Sequence, residues 1–185
     1  MKNFKIYVFS VAVFVGTVLY SAVCLAQWTT DPNLNNPVCV QQSNQEKTAI
    51  ASDGSGGSYI VWVDGRVAGP DIYAQHIDAA GVIKWTSDGI ALCNAIDYQG
   101  SPAIIPDGNG GAIITWMDYR NGNDNDIYAQ HIDGNGTMLW DDNGKAIFKG
   151  TGDQAHPIVA TDGTGGAIIA WLDQSIPGAR DYKIK

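Results

Sequence analysis

A repeat is the feature that most restricts what this chain can fold into. DGSGGSYIVWVDGR at Asp53 to Arg66 returns as DGNGGAIITWMDYR at Asp107 to Arg120, and again as DGTGGAIIAWLD at Asp162 to Asp173. The opening aspartates lie 54 and 55 residues apart, and Trp62, Trp116 and Trp171 each follow their aspartate by nine. Self-similarity at one fixed period means that each unit is a supersecondary element that buries its apolar surface against its neighbours.

Within a unit, Asp-Gly-x-Gly-Gly places glycines where a tight turn needs positive φ. Apolar runs flank it on both sides, TAIAS and YIVW or PAIIP and IITW, so the turn predicts a hairpin. A polar stretch follows the tryptophan, Asp64 to Asp71 in the first unit and Asp118 to Asp126 in the second, and leads into DIYAQHID. A second glycine-bearing turn, at Gly81 or Gly134 to Gly136, leads to VIKW or TMLW, which reads as a fourth strand. About four short strands at this period predict an all-β chain of β-propeller-type blades, each of about four antiparallel strands. The apolar runs are continuous, as expected of strands covered on both faces; strict alternation would imply one wet face. About two and a half repeats are present, in units 48–101, 102–155 and 156–185. Residues 27–40 read as the tail strand of a preceding or closing blade, because Cys39, Cys93 and Phe148 all lie 14 residues before a turn aspartate. Rings need at least about four blades, so the propeller is expected to be incomplete, with AIIAW left as an open strand edge. Self-association is expected if the chain is this short.

Residues 1–26 have the layout of a secretory signal peptide: Lys2 and Lys5, an apolar run from Ile6 to Val18, then small residues up to Cys24-Leu25-Ala26. An uncleaved anchor and a lipid attachment at Cys24 are the alternatives. All three imply export, to a secreted or cell-surface location; cleavage leaves no stable membrane insertion. Eleven basic and nineteen acidic side chains give a formal charge of −8, and loss of a leader carrying Lys2 and Lys5 makes the rest more acidic still. Such a chain repels phosphate backbones, which argues against a nucleic-acid partner. Cys39 and Cys93 occupy the same place in successive units, too far apart for a bridge, and Phe148 in the third copy marks the position as an apolar filler, so free thiols are expected.

The candidate ligand contacts are Asp64, Arg66 and Asp71 in the first unit and Asp118, Arg120 and Asp126 in the second. One reading is a ring of charged groups at a mouth of the fold, able to grip a sugar or a carboxylate. The other is a per-unit ion pair that pins each hairpin. NGNDND at Asn121 to Asp126 has oxygen ligands at alternate positions, which suits calcium, but no acid stands where a complete calcium loop ends. A solvated Asn/Gly turn is the competing reading, and no other cofactor is indicated. His76 and His131 recur in YAQHID, and His156 stands alone before Pro157; none belongs to a zinc-type cluster. No nucleophile elbow, P-loop or dinucleotide fingerprint occurs, since the glycine turns lead into strands where phosphate loops lead into helices.

DGxGGxxxxWxDxR followed by DIYAQxID, a glycine turn and a tryptophan resembles the repeated blades of large secreted or surface-anchored bacterial proteins with propeller-like regions. The resemblance covers Asp53 to Trp140 well and Asp162 to Asp173 in part. It implies an exported adhesive or ligand-binding scaffold, accompanied in such proteins by further blades, immunoglobulin-like modules and a C-terminal sorting domain. The S-x-D-x-G-x-x-W turn of sialidase-type propellers is not matched. Two functional classes follow: a non-catalytic binding or scaffold module for an extracellular glycan or protein, and a fragment of a secreted propeller-type hydrolase or lyase. The first predicts the same residues in every unit. The second predicts that one unit departs from the repeat to bring in a distinctive acid, His or Tyr.

Overall fold

The computed structural model describes residues 36–67, 69–175 and 183–184. The signal segment 1–26 and most of the tail segment 27–40 lie outside these residues. The described residues are all-β, with no helix, and form three antiparallel sheets. Strands β1 (Gln45–Ser52), β2 (Ser58–Val67), β3 (Gly69–Ile77) and β4 (Ile90–Cys93) make the first sheet, in that order. Strands β5 (Gln99–Pro106), β6 (Ala112–Asp118), β7 (Asp126–Ile132) and β8 (Lys145–Phe148) make the second. The third joins β9 (Asp153–Thr161), β10 (Ala167–Gln174) and β11 (Lys183–Ile184). The sheets therefore begin about three residues ahead of the units read from sequence.

The Asp-Gly-x-Gly-Gly turns close the hairpins as expected. Asp53 Oδ1 accepts the backbone N–H of Ser55 at 2.7 Å and of Gly57 at 2.8 Å, while the Asp53 N–H donates to the Gly57 carbonyl at 3.1 Å. Asp107 and Asp162 repeat the arrangement. Gly57 and Gly111 are required for closeness: a Cβ at either would lie 2.3 Å from the carbonyl of Ile77 or Ile132.

The fourth strand is not where the apolar pattern put it. VIKW and TMLW make single bridges, Ile77↔Ile83 and Ile132↔Met138, and the ladder is completed by IALC and KAIF further along. A side chain explains the change. Gln75, fully buried, accepts the N–H of His76 and of Trp85 on Oε1 and donates to the Thr86 carbonyl; Gln130 does the same for His131, Trp140 and Asp141. The glutamine amide satisfies the backbone groups that a ladder would otherwise have to pair.

Each sheet packs on the first strand of the next: β2 and β3 lie against β5, β6 and β7 lie against β9, and β1, β5 and β9 run side by side. Tyr59, Val61, Val63, Trp85, Leu92 and Cys93 of the first sheet meet Ile104, Ile114 and Trp116 of the second in one core. Strand β6 is buried almost throughout. Trp62 and Trp116 are equivalent, 2% and 0% exposed, each donating from Nε1 to the aspartate two residues on at 2.8 Å. Trp171 departs from them. It is only partly buried and its Nε1 has no partner among the described residues. The third sheet leaves Ile158 and Ile168 exposed. No helix among the described residues is long and apolar enough to cross a membrane.

Candidate functional site

Every sequence-predicted site residue lies at one end of its sheet, where the strand carrying the tryptophan stops. Asp64 and Asp71 are cross-strand partners at the ends of β2 and β3, and Asp118 and Asp126 are partners at the ends of β6 and β7. In the first sheet the ladder continues past them to Val67↔Gly69, so the expected loop is mostly strand; in the second, Tyr119 to Asn125 is a true loop.

The aspartate and arginine of the first and second units are consumed by one another, and Ser175 stands at the arginine position of the third. Asp64, fully buried, accepts Trp62 Nε1 at 2.8 Å, the Arg66 N–H at 2.9 Å, Arg66 Nη2 at 2.6 Å and Ser43 Oγ at 3.2 Å. Arg66 stacks 4.0 Å above the Tyr73 ring and also donates to the Asp88 carbonyl at 2.8 Å and the Cys39 sulfur at 3.1 Å. Asp118 and Arg120 copy the set with Trp116, Tyr128, the Asn143 carbonyl and Cys93. Each guanidinium thus ties its strand, the neighbouring tyrosine, the loop before β4 or β8, and a cysteine of the preceding segment. The cysteines are free thiols, and burial pushes the Cys93 thiol up to about 12.

The second aspartates have a different environment. Burial and the facing Asp64 carboxylate push Asp71, 2% exposed, up to about 6, and its Oδ2 has no partner among the described residues. Burial pushes Asp64 the same way, but the hydrogen bonds from Arg66 and Trp62 outweigh it and bring the group down to about 2. Asp126 is raised by burial too, yet it accepts Asn121 Nδ2 at 3.1 Å and the Gly150 N–H at 3.3 Å.

The NGNDND loop turns several of its side-chain oxygens inward, while Asn125 Oδ1 is buried without a partner among the described residues. Asn121 Oδ1 accepts the N–H of Asn123 and Asp124, Asp124 Oδ2 accepts the Gly152 N–H at 2.7 Å, and Asn125 donates twice to Asp153. The loop fastens the second sheet to the lead-in of the third, and no group of three or more His, Cys, Asp or Glu side chains gathers among the described residues. His76 and His131 sit at the opposite end, on the turn aspartates, at 3.0 Å from Asp53 and 2.8 Å from Asp107.

Sequence reasoning missed a set of bulges. Residues 47–48, 101–102 and 156–157 stand two against one, opposite Trp62, Trp116 and Trp171. At each, the first residue has a left-handed backbone: Lys47 at φ 52°, Ser101 at 51° and His156 at 50°. Pro102 and Pro157 were the available signal, since proline inside a strand is confined to edges and bulges.

These features define a class, an all-β module of repeated antiparallel sheets with an Asp-Arg-Tyr clasp in the first two units. No family model matches the chain, and no curated protein does. Among solved structures it is similar to the endo-arabinase from Bacteroides thetaiotaomicron VPI-5482, at 14% identity and a TM-score of 0.52, covering 84% of this chain and 59% of that one. The likeness concerns the fold.

Proposed function

We propose that the three sheets are neighbouring blades of an exported β-propeller-type scaffold that binds an extracellular glycan or protein and has no catalytic role of its own. The blade reading is supported by the repeat, by the packing of each sheet on the first strand of the next, and by the fold likeness. The lack of catalysis rests on one observation. The acid pairs that repeat are sealed, with Asp64 and Asp118 0% exposed and Asp71 and Asp126 2% exposed. Glycoside hydrolysis needs two carboxyl groups that both face the scissile bond. These face the clasp.

A second reading, a carbohydrate-active hydrolase, is favoured by Asp64 and Asp71, one held down to about 2 and the other pushed up to about 6, since two carboxyls driven apart by their surroundings are what acid–base chemistry uses. The neighbour of similar fold is itself an endo-arabinase. A screen of the protein against immobilised glycans and peptides, run beside reducing-end assays on arabinan and other polysaccharides, separates the two. Binding without turnover is expected. Turnover that disappears in Asp71→Asn would replace the binding reading with the hydrolytic one.

A further inference from the structure

We infer that Lys47, Ser101 and His156, the strained bulge residues of β1, β5 and β9, form a row that binds a glycan through a single carboxylated sugar. They occupy the same bulge in three strands that lie side by side. The registers Gln45↔Asp64, Gln99↔Asp118 and Gln154↔Asp173 put the row at the end of the sheets that carries the post-tryptophan loops.

The backbone supplies the main argument. A left-handed φ is cheapest for glycine, and Asn, Asp and His tolerate it next best. Lys47 and Ser101 are none of these. Side chains kept where stability alone favours their removal point to use, and bulges re-aim side chains beside functional sites. Chemistry supplies the second argument. The position changes from a cation to a hydroxyl to an imidazole across the three units, whereas Asp64, Arg66, Tyr73 and Cys39 of the clasp recur as Asp118, Arg120, Tyr128 and Cys93.

The polar ends are also available. Lys47 and His156 are exposed and Ser101 is half-buried. Among the described residues Lys47 has no carboxylate partner; it contacts the Tyr98 hydroxyl and lies 4.9 Å from the centre of that ring. An ammonium, an imidazole and two hydroxyls suit a polyhydroxylated acid. The net charge of −8 and the nearby Glu46 and Asp97 oppose a polyanion, which limits the ligand to a sparse negative charge on a neutral chain.

The inference rests on the binding-module reading, and the two fail in different ways. The test is calorimetric titration of the full chain with a xylo-oligosaccharide bearing one glucuronic acid branch, against the same oligosaccharide unbranched and against an oligoglutamate. Lys47→Gly and His156→Gly remove the side chain and relieve the backbone at once, so they keep the fold. The branched sugar is expected to bind about tenfold more tightly than the unbranched one, a typical margin for one charge-assisted contact. Both glycine variants should lose that margin with Tm unchanged or higher. Equal binding of the two sugars, preference for oligoglutamate, an intact margin in the glycine variants, or a lower Tm in them overturns the inference. Cleavage of the oligosaccharide overturns the binding-module reading itself.

Discussion

Asp71→Asn should stabilise the protein at neutral pH, although it replaces a repeated, buried residue. The carboxyl is 2% exposed, faces Asp64 across the strand pair, and has one oxygen with no partner among the described residues. Its shift from 3.8 to about 6 corresponds to about 3 kcal/mol of lost stability once the group is ionised. A carboxyl raised in the folded state holds its proton longer there than in the unfolded chain. The stability is therefore present below the unfolded value and is lost as pH rises through about 6. Between pH 4.5 and 7.5 the loss is about 2 kcal/mol, or about 1 M in the urea midpoint of a domain this size. Asp64, held down to about 2, acts in another window, since its contribution disappears only as pH falls towards 2. Urea denaturation followed by tryptophan fluorescence at pH 4.5, 6 and 7.5 should show the wild type weakening with pH and Asp71→Asn changing less, the two curves diverging by about 2 kcal/mol. Asp126→Asn should gain less, because Asp126 already accepts Asn121 and Gly150. Parallel pH profiles for wild type and Asp71→Asn would refute the reasoning.

Arg120→Ala should cost about 3–5 kcal/mol in the same denaturation assay, because it strands the buried Asp118 charge and uncovers the Tyr128 ring. Arg120→Lys should recover only part of this, since a lysine keeps the charge but not the fork or the stacking. Gly111→Ala and Gly108→Ala should differ sharply in thermal melts. At Gly111 a Cβ would meet the Ile132 carbonyl at 2.3 Å and the turn must open, whereas at Gly108 the space is free and the positive φ costs only about 1 kcal/mol.

Periodicity made much of this protein legible. Asp-Gly-x-Gly-Gly dictates its turn through bonds between residues at most four apart, and the continuous apolar runs YIVW and IITW report two covered faces, so the all-β class and the hairpins follow from local chemistry. The spacing of Cys39 and Cys93 was informative too, because equal offsets in a repeat mean equal environments, and both sulfurs do sit on an Asp-Arg pair. Other features were decided by groups distant in sequence. IALC displaced VIKW as the fourth strand where a buried glutamine side chain took the Trp85 N–H and the Thr86 carbonyl, and a hydrophobicity pattern does not register a side-chain amide acting as a surrogate strand. Whether Asp64 and Arg66 faced solvent or one another depended on Tyr73, Cys39 and the Asp88 carbonyl, which come from three separate segments. Asp71 and Asp126 look alike as residues, yet one oxygen of the first has no partner among the described residues while the second accepts from Asn121 and Gly150. The bulges beside the tryptophans were marked in the sequence only by Pro102 and Pro157, for an extra residue in one strand is defined by the register of the strand it faces.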